Sequence, residues 1–153
     1  MNSTSSPDRM ASFAALLRMA LGDNLAPTAY SFVEMMAEDG VMEFPYFTAN
    51  EPMRLNGREA VRQHLASLEG LIDIESFHDL IVHPSQTPGV FILQMRCIAR
   101  AVPTGLPYNQ RYISVITVAD GYIVHYLDYW NPLVLAEAMG GATPAGQPKG
   151  ASS

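Results

Sequence analysis

Two side chains in this sequence have the type and surroundings needed for acid and base chemistry. Asp128 lies in residues 122–131, where most of its neighbours are apolar or aromatic. A buried carboxylate is costly there unless it has a partner or holds a proton over part of the physiological pH range. His64 shares the apolar stripe of a predicted helix with Val61 and Leu68. We predict Asp128 as a general base or acid, with His64 as its catalytic companion.

Each candidate also has a purely structural interpretation. A regular hairpin register puts Ile113 opposite Asp128 and Arg111 diagonally adjacent on the same face, where an ion pair could form. A histidine on an apolar helix face is more often a satisfied core residue than a catalyst. The sequence leaves both alternatives open.

Composition narrows the class of protein. The chain has 153 residues, of which 48% are apolar and only 16% charged, with a net charge of -6. An average soluble domain has about 25% charged residues, so this chain is expected to bury extra surface in a ligand cavity or a subunit interface. Its length fits one domain, which we place at residues 10–140, between disordered tails at 1–9 and 141–153. Negative charge without a Lys/Arg cluster argues against nucleic acid and anionic membranes.

Other chemistries find no support in the sequence. No His, Cys or carboxylate combination has the spacing of a zinc or iron site, and no glycine-rich loop suits nucleotide phosphates, so no metal or cofactor is predicted. Cys97 is the single cysteine and lies on an apolar strand face, which favours a small buried hydrophobe. The start lacks a leader pattern and no apolar run reaches about 18 residues, so we expect a cytoplasmic protein without membrane contact.

Hydrophobic spacing predicts helices first and strands afterwards. Residues 12–21 and 27–37 have helical spacing, and a third helix is expected to begin with a capping box at Asn56 and Glu59. Strands are predicted over residues 74–83, 90–102, 108–119 and 122–131. This order indicates an α+β fold, a cone-shaped, curved antiparallel sheet closed on one face by the N-terminal helices.

The last two predicted strands meet at Asp120 and Gly121, a strong signal for a two-residue hairpin turn. A regular register from that turn gives two faces that are both largely apolar. One face would carry Ile113, Val115, Val124, Tyr126, Asp128 and Trp130, and the other Tyr112, Ser114, Ile116, His125, Leu127 and Tyr129. We therefore expect the helices to cover one face and a second subunit to cover the other, giving a homodimer through the outer sheet face.

Three segments carry a resemblance to a known superfamily: residues 36–41 (MAEDGV), 56–61 (NGREAV) and 120–131 (DGYIVHYLDYWN). Over residues 12–140 the chain resembles the nuclear transport factor 2-like (cystatin-like) superfamily, and within it the SnoaL-like polyketide cyclases, limonene epoxide hydrolase and the phenazine biosynthesis A/B proteins. The resemblance implies a cone around a hydrophobic pocket, commonly in a homodimer. It places Asp128 where relatives keep an acid/base carboxylate, and His64 where the phenazine proteins keep a pocket histidine.

Two departures from those relatives bear on the reaction. The arginine and second aspartate of the epoxide hydrolase fall at Met95 and Cys97, and its water-positioning tyrosine and asparagine at Met42 and Phe44. The resemblance therefore disfavours epoxide hydrolysis. The pocket serine of the phenazine proteins falls at Leu68.

The expected function is that of a cofactor-independent cyclase, isomerase or dehydratase acting on a small apolar carbonyl compound by general acid/base catalysis. His64, Tyr30 or Tyr46 would donate a hydrogen bond to the developing enolate oxygen. The expected substrate-binding residues are Tyr30, Phe44, Tyr46, Met95, Cys97, Tyr126 and Trp130. The alternative is a non-catalytic module that binds a small hydrophobic ligand.

Overall fold

The computed structural model describes residues 6–47 and 52–141, with side chains from residue 12 onward. The helices are α1 (Ser6–Leu21), α2 (Phe32–Met35), α3 (Arg58–Leu68) and α4 (Pro132–Ala138). The strands are β1 (Met36–Phe44), β2 (Met53–Asn56), β3 (Ile72–Pro84), β4 (Val90–Ala101), β5 (Gln110–Ala119) and β6 (Tyr122–Tyr129). Helix α1 begins inside the predicted N-terminal tail, while residues 1–5 and 142–153 of the two tails lie outside the described residues.

All six strands belong to one sheet in the order β2-β1-β6-β5-β4-β3. The α+β class and the run of antiparallel strands from β3 to β6 are confirmed. One pairing departs from the prediction, because β1 runs parallel to β6, with Met42 beside Tyr126. Strand β1 therefore brings a chain segment from the N-terminal half next to the strand that carries Asp128.

The predicted second helix over residues 27–37 is wrong in extent. Its helical part is the single turn of α2. A capping box between Ser31 and Glu34 begins this turn, and β1 follows directly after it.

Gly40 explains how β1 can approach β6 so closely. A Cβ added at Gly40 would lie 2.8 Å from a carbonyl oxygen of β6, a separation that side chains do not tolerate.

The predicted capping box of the third helix is also wrong. Gly57 takes the N-cap position of α3 without a side-chain hydrogen bond, and the Asn56 side chain instead accepts a hydrogen bond from Arg54 Nε at 3.0 Å. Helix α3 is tied to β1 by the guanidinium group of Arg58, whose Nε and Nη2 donate to the carbonyl oxygen of Met36 at 2.8 and 2.6 Å. This bond fixes α3 against the strand that lies beside β6.

A β-bulge changes the register of the predicted hairpin. Val118 pairs with Ile123 as the two-residue turn requires, but the next pair is Thr117 with His125. Val124 is therefore an extra residue on β6, and every later pair is shifted by one position. Such a shift exchanges the two faces of one strand relative to its partner.

As a consequence, Ser114 and not Ile113 lies opposite Asp128. The predicted faces of β5 are wrong, because Ile113 and Val115 lie on the side away from the helices. Arg111 lies on that side as well, in register with Arg96 of β4. The alternative of a structural ion pair between Arg111 and Asp128 is thus contradicted, since the sheet separates the two side chains.

We call the helix-covered side of the sheet the inner face. Its residues include Met42, Phe44, Met95, Cys97, Gln110, Tyr112, Ser114, Ile116, Tyr126 and Asp128. Helix α1 packs on it through Phe13, whose ring lies 5.0 Å from Phe77, and α2 through Phe32, whose ring lies 5.6 Å from Tyr126. Helix α4 lies within a segment for which no helix was predicted, and it packs over a second cluster that includes Cys97.

Candidate functional site

Asp128 lies on the inner face near the end of β6. Ser114 lies directly opposite on β5, and the buried Tyr126 precedes Asp128 by two residues on the same side. The Oδ1 atom of Asp128 is buried and has no hydrogen-bond partner in the described part of the chain. An unpartnered buried carboxylate oxygen is rare in folded proteins and marks this position as unusual.

Burial alone raises the pKa of Asp128 from its usual range to about 7. Water stabilises a carboxylate, and no cation in the described part of the chain lies close enough to Asp128 to replace that stabilisation. A carboxyl with this pKa is about half ionised near neutral pH. It can accept a proton from a ligand or donate one to it under the same conditions.

The charge of Asp128 acts on three buried tyrosine hydroxyls. The hydroxyl groups of Tyr126 and Ser114 lie 3.1 Å apart and form a hydrogen bond. Burial raises the pKa of Tyr108 to about 12 and raises those of Tyr112 and Tyr126 as well, and the charge of Asp128 adds to each rise. These phenols therefore stay protonated and can serve as hydrogen-bond donors but not as bases.

Gln110 holds the end of β6 in place. Its side-chain Nε2 donates to the Asn131 carbonyl at 2.9 Å, and its Oε1 accepts from the Asn131 amide at 3.0 Å. Asn131 in turn caps α4, its Oδ1 accepting from the Leu133 amide at 2.9 Å. A fully buried glutamine thus fixes the backbone three residues beyond Asp128.

Trp130 lies directly after β6, on the same side as Asp128, and its ring packs against the core. The indole Nε1 is buried and has no hydrogen-bond partner in residues 6–47 and 52–141. The inner face near the end of β6 therefore presents both an unpartnered acceptor and an unpartnered donor.

His64 reaches this region from α3. Its ring centroid lies 5.2 Å from that of Phe44, a buried residue on the inner face of β1. Because β1 runs beside β6, Phe44 lies between the helix that carries His64 and the strand that carries Asp128. Burial lowers the pKa of His64, so its imidazole is mainly neutral at pH 7.

Met95 and Cys97 are buried on the inner face of β4, the strand that pairs with β5. Burial raises the pKa of the Cys97 thiol to about 11, and the Tyr112 hydroxyl forms a hydrogen bond with this thiol. A thiol with that pKa is not a nucleophile at neutral pH. The interpretation of Cys97 as a buried apolar residue agrees with this environment.

The structure does not bring Tyr30 and Tyr46 to the inner face. Tyr30 is 77% exposed in the loop before α2, and Tyr46 is 55% exposed with its ring 5.4 Å from that of Tyr129. Tyr129 follows Asp128 on the strand and so lies on the opposite side of the sheet. Both tyrosines are too exposed to donate a hydrogen bond in a dry cavity, and we leave them out of the site.

Sequence reasoning missed Ser114 as the partner of Asp128 on β5, the effect of its charge on Tyr108 and Tyr112, and the role of Gln110 at the end of β6. The hairpin was recognised, but the bulge at Val124 hid which side of β5 faces inward. Gln110 had no signal in the sequence, because its role depends on its distance from Asn131 in space.

Among the described residues no three His, Cys, Asp or Glu side chains are grouped to hold a metal ion, and no helix there has the length and apolar character to span a membrane.

Residues 26–126 match the sequence profile of the SnoaL-like domain. The chain belongs to the SnoaL-like family. This SnoaL-like chain is 39% identical to the YesE protein of Bacillus subtilis (strain 168) over 126 residues, which cover 82% of the chain and 86% of YesE. It is 32% identical to a PhzA/B-like protein of Pseudomonas aeruginosa (strain PAO1) over 117 residues, covering 76% of the chain and 82% of that relative.

A solved structure of similar fold comes from Bacillus subtilis and has been provisionally described as an isomerase. The two chains share 33% identity and superpose with a TM-score of 0.70, covering 93% of this SnoaL-like chain and 99% of the other. The predicted resemblance and fold class are therefore confirmed.

Proposed function

We propose that this SnoaL-like protein is a cofactor-independent enzyme that acts on a small, largely apolar carbonyl compound, with Asp128 as its general base. One observation carries the proposal: the inner face holds a buried carboxyl whose Oδ1 has no partner among the described residues and whose pKa burial raises to about 7. A structural carboxylate would be expected to have a cation or several donors around it. The isomerase description of the similar Bacillus subtilis structure agrees with this chemistry.

In the proposed reaction, Asp128 removes a proton from the carbon next to the ligand carbonyl. The electrons of the broken C–H bond form an enolate, and the carbonyl oxygen takes the negative charge. Asp128 then returns the proton to another atom of the same ligand, giving isomerisation. In the cyclase variant the enolate carbon attacks a second carbonyl carbon of the same ligand, the C=O π electrons move to that oxygen, and Asp128 gives its proton to the resulting alkoxide. No oxidant, reductant or metal is required, because the electrons stay within the ligand.

The proposed binding residues are those that the fold brings to the inner face. Phe44, Met95, Cys97 and Tyr126 are buried there and supply an apolar lining, with Trp130 at the end of β6. His64 stays in the proposal as a neutral hydrogen-bond donor beyond Phe44, toward the far end of the ligand.

A ligand screen followed by an isotope measurement tests this function. The panel contains polyketide, steroid, terpene and aromatic ketones, including 2-tetralone, and a compound that binds the native state raises the melting temperature. Compounds that bind are incubated with the protein in deuterated water, and exchange of the protons next to the carbonyl is followed by NMR. The proposal expects exchange faster than without protein. Binding without faster exchange would favour the non-catalytic module instead.

We also propose that the protein is a homodimer through the outer face, the sheet side opposite the helices. Ile113 and Ile81 on that side are 40% and 49% exposed, unusual for strand residues of this type. Arg96 and Arg111 lie directly opposite each other there, and Arg111 has no ion-pair partner in the described part of the chain. A symmetry-related copy would cover the apolar residues and could bring a carboxylate to Arg111.

The substitution Ile113→Glu is expected to weaken this dimer at least 100-fold, because it would bury two unpaired carboxylates at a twofold interface. Met19→Glu is the matched control, since Met19 is 75% exposed on α1 and far from the outer face. Sedimentation equilibrium of both variants and the unmodified protein measures the dissociation constant. A monomeric unmodified protein, or an unchanged dimer in the Ile113 variant, would contradict the proposal.

A further inference from the structure

A groove of about 850 Å³ crosses the outer face of the sheet. Its walls are two rows of side chains that the strand register aligns across neighbouring strands. The first row, with one residue from each of β3 to β6, is Ile81, Gln94, Ile113 and Tyr129. The second row is Arg96 and Arg111, two residues away along β4 and β5. One wall of the groove is therefore mostly apolar and the other is cationic.

The register also gives this groove its shape. Neighbouring strands lie about 4.8 Å apart, so a row across four strands is about 14 Å long. Two residues along a strand separate the two rows, a distance of about 7 Å. The floor between the rows is the backbone of the pair Met95 and Tyr112. A slot of this shape accepts one flat or extended molecule, and its volume is in the range of small-molecule sites.

Three charged side chains line the groove among the described residues: Asp79, Arg96 and Arg111. The Oδ2 atom of Asp79 accepts a hydrogen bond from Arg96 Nη1 at 3.1 Å, so these two charges form an ion pair. The guanidinium group of Arg111 has no ion-pair partner in the described part of the chain. The groove thus carries one excess positive charge, although the whole chain has a net charge of -6. One singly charged anion would balance this excess.

A β-bulge in β3 brings Asp79 to Arg96. His78 pairs with Arg96 and Ile81 pairs with Gln94, so β3 has one extra residue between these two pairs. Asp79 takes a left-handed backbone conformation there, with φ of 60°, which few residues other than glycine adopt. Bulges are common beside functional sites, where they direct a side chain. This bulge supplies a carboxylate to one arginine of the pair and leaves the donors of the other available.

We propose that this groove is a second ligand site, which binds a small aromatic monocarboxylic acid. The Arg111 guanidinium group would hold the carboxylate through two parallel N–H donors, a geometry that suits arginine in particular. The ring of the acid would lie along the apolar row toward Tyr129. The Tyr129 ring packs at 5.4 Å against that of Tyr46, so the groove has an aromatic wall at this end.

The charge balance favours a carboxylate over a phosphate. A phosphate monoester carries about two negative charges at neutral pH, one more than the groove can balance. A second copy of the chain on the outer face is the competing source of a carboxylate for Arg111. The inference uses no side chain of the inner face, so it does not depend on the general-base role of Asp128.

The affinity of the protein for 2-naphthoate and 2-naphthamide tests the proposal, since the two probes share a ring system and differ in charge. Isothermal titration calorimetry should show that 2-naphthoate binds at least about 10-fold more tightly, because only the acid makes charged hydrogen bonds to Arg111. Equal affinities for both probes, or no binding of 2-naphthoate, would overturn the proposal. Displacement of 2-naphthoate by an equal concentration of inorganic phosphate would overturn the assignment to carboxylic acids.

The substitution Arg111→Met locates the binding, because it removes the charge and keeps a long side chain. It should weaken 2-naphthoate at least about 10-fold and leave the affinity for 2-naphthamide within about twofold. Arg62→Met is the matched control, since Arg62 pairs with Glu59 on α3 at 3.1 Å and lies on the helix side of the sheet. An unchanged affinity for 2-naphthoate in the Arg111 variant, or equal losses in both variants, would overturn the site.

Sedimentation of the unmodified protein and the Arg111→Met variant identifies the competing occupant. A dimer that dissociates in the variant, together with no binding of 2-naphthoate to the unmodified protein, would assign Arg111 to a second copy and overturn the ligand site. The proposal expects the oligomeric state to be the same in both proteins, with the binding of 2-naphthoate lost only in the variant.

Discussion

The substitution Asp128→Asn is expected to slow proton exchange of 2-tetralone by 100-fold to 10,000-fold, the usual contribution of a general base. Asparagine has nearly the size and shape of aspartate, so the inner face should keep its packing. It cannot accept the proton, and so the C–H bond of the ligand stays intact. The measurement is the rate of deuterium incorporation beside the carbonyl at saturating ligand, with protein-free exchange subtracted.

Asp79→Asn is the control for this experiment. Asp79 is a carboxylate on β3 that pairs with Arg96 at 3.1 Å and lies away from the inner face. Its replacement also removes one negative charge, but the exchange rate should stay within about twofold of the unmodified protein. Equal rates in the unmodified protein and the Asp128 variant would remove Asp128 from the reaction. Equal losses in both variants would point to a general effect of charge.

The substitution Asp128→Asn is also expected to change how the free energy of unfolding depends on pH. The pKa of Asp128 is raised from 3.8 in a solvated carboxyl to about 7 by burial in the folded protein. Well below pH 3.8 both the folded and the unfolded states hold the proton, so the group has no effect on stability. As the pH rises toward 7 the unfolded state ionises first, and the folded state loses stability relative to it. Above pH 7 both states are ionised and the loss levels off.

The size of this effect follows from the shift in pKa. About three pKa units correspond to roughly 4 kcal/mol of unfolding free energy between pH 4 and pH 8. Urea denaturation of the unmodified protein and the Asp128→Asn variant at several pH values measures it. As the pH rises from 4 to 8, the unfolding free energy of the Asn variant should increase by roughly 4 kcal/mol relative to that of the unmodified protein. A difference between the two proteins that is the same at every pH does not affect this result. Parallel curves for the two proteins would show that burial does not perturb Asp128.

These two predictions together describe a carboxyl group that lowers the stability of the folded protein at neutral pH. At neutral pH the folded protein would be more stable without the buried carboxyl, because no cation or set of donors compensates for its loss of water. A buried carboxyl with a shifted pKa is typical of an active site, where the shift is part of the mechanism.

The sequence was sufficient to predict the fold, but not the neighbours of Asp128. The turn at Asp120 and Gly121 is a local signal and was predicted correctly. The bulge at Val124 has no comparable signal, since valine suits a regular strand as well as a bulged one. One extra residue there decided that Ser114 faces Asp128 and that Arg111 lies on the other side of the sheet.

The N-terminal half was harder to predict for a different reason. Residues 27–37 have helical spacing, yet β1 begins at Met36 because it can pair with β6, a strand more than eighty positions later in the chain. Short strand β2 (Met53–Asn56) also depends on pairing with β1 and has too few residues to show a pattern. Residue type alone places Tyr30 and Tyr46 in the predicted pocket, whereas the structure leaves them 77% and 55% exposed, with the Tyr46 ring against Tyr129.

The central claim is that Asp128 is a buried carboxyl without a charged partner, and its titration tests this claim without any substrate. The ¹³C resonance of the Asp128 side-chain carboxyl, assigned with the Asp128→Asn variant, is followed by NMR from pH 3 to pH 9. We expect a single transition with a pKa near 7, caused by burial. A transition near pH 4, the value of a solvated or ion-paired aspartate, would contradict the general-base assignment.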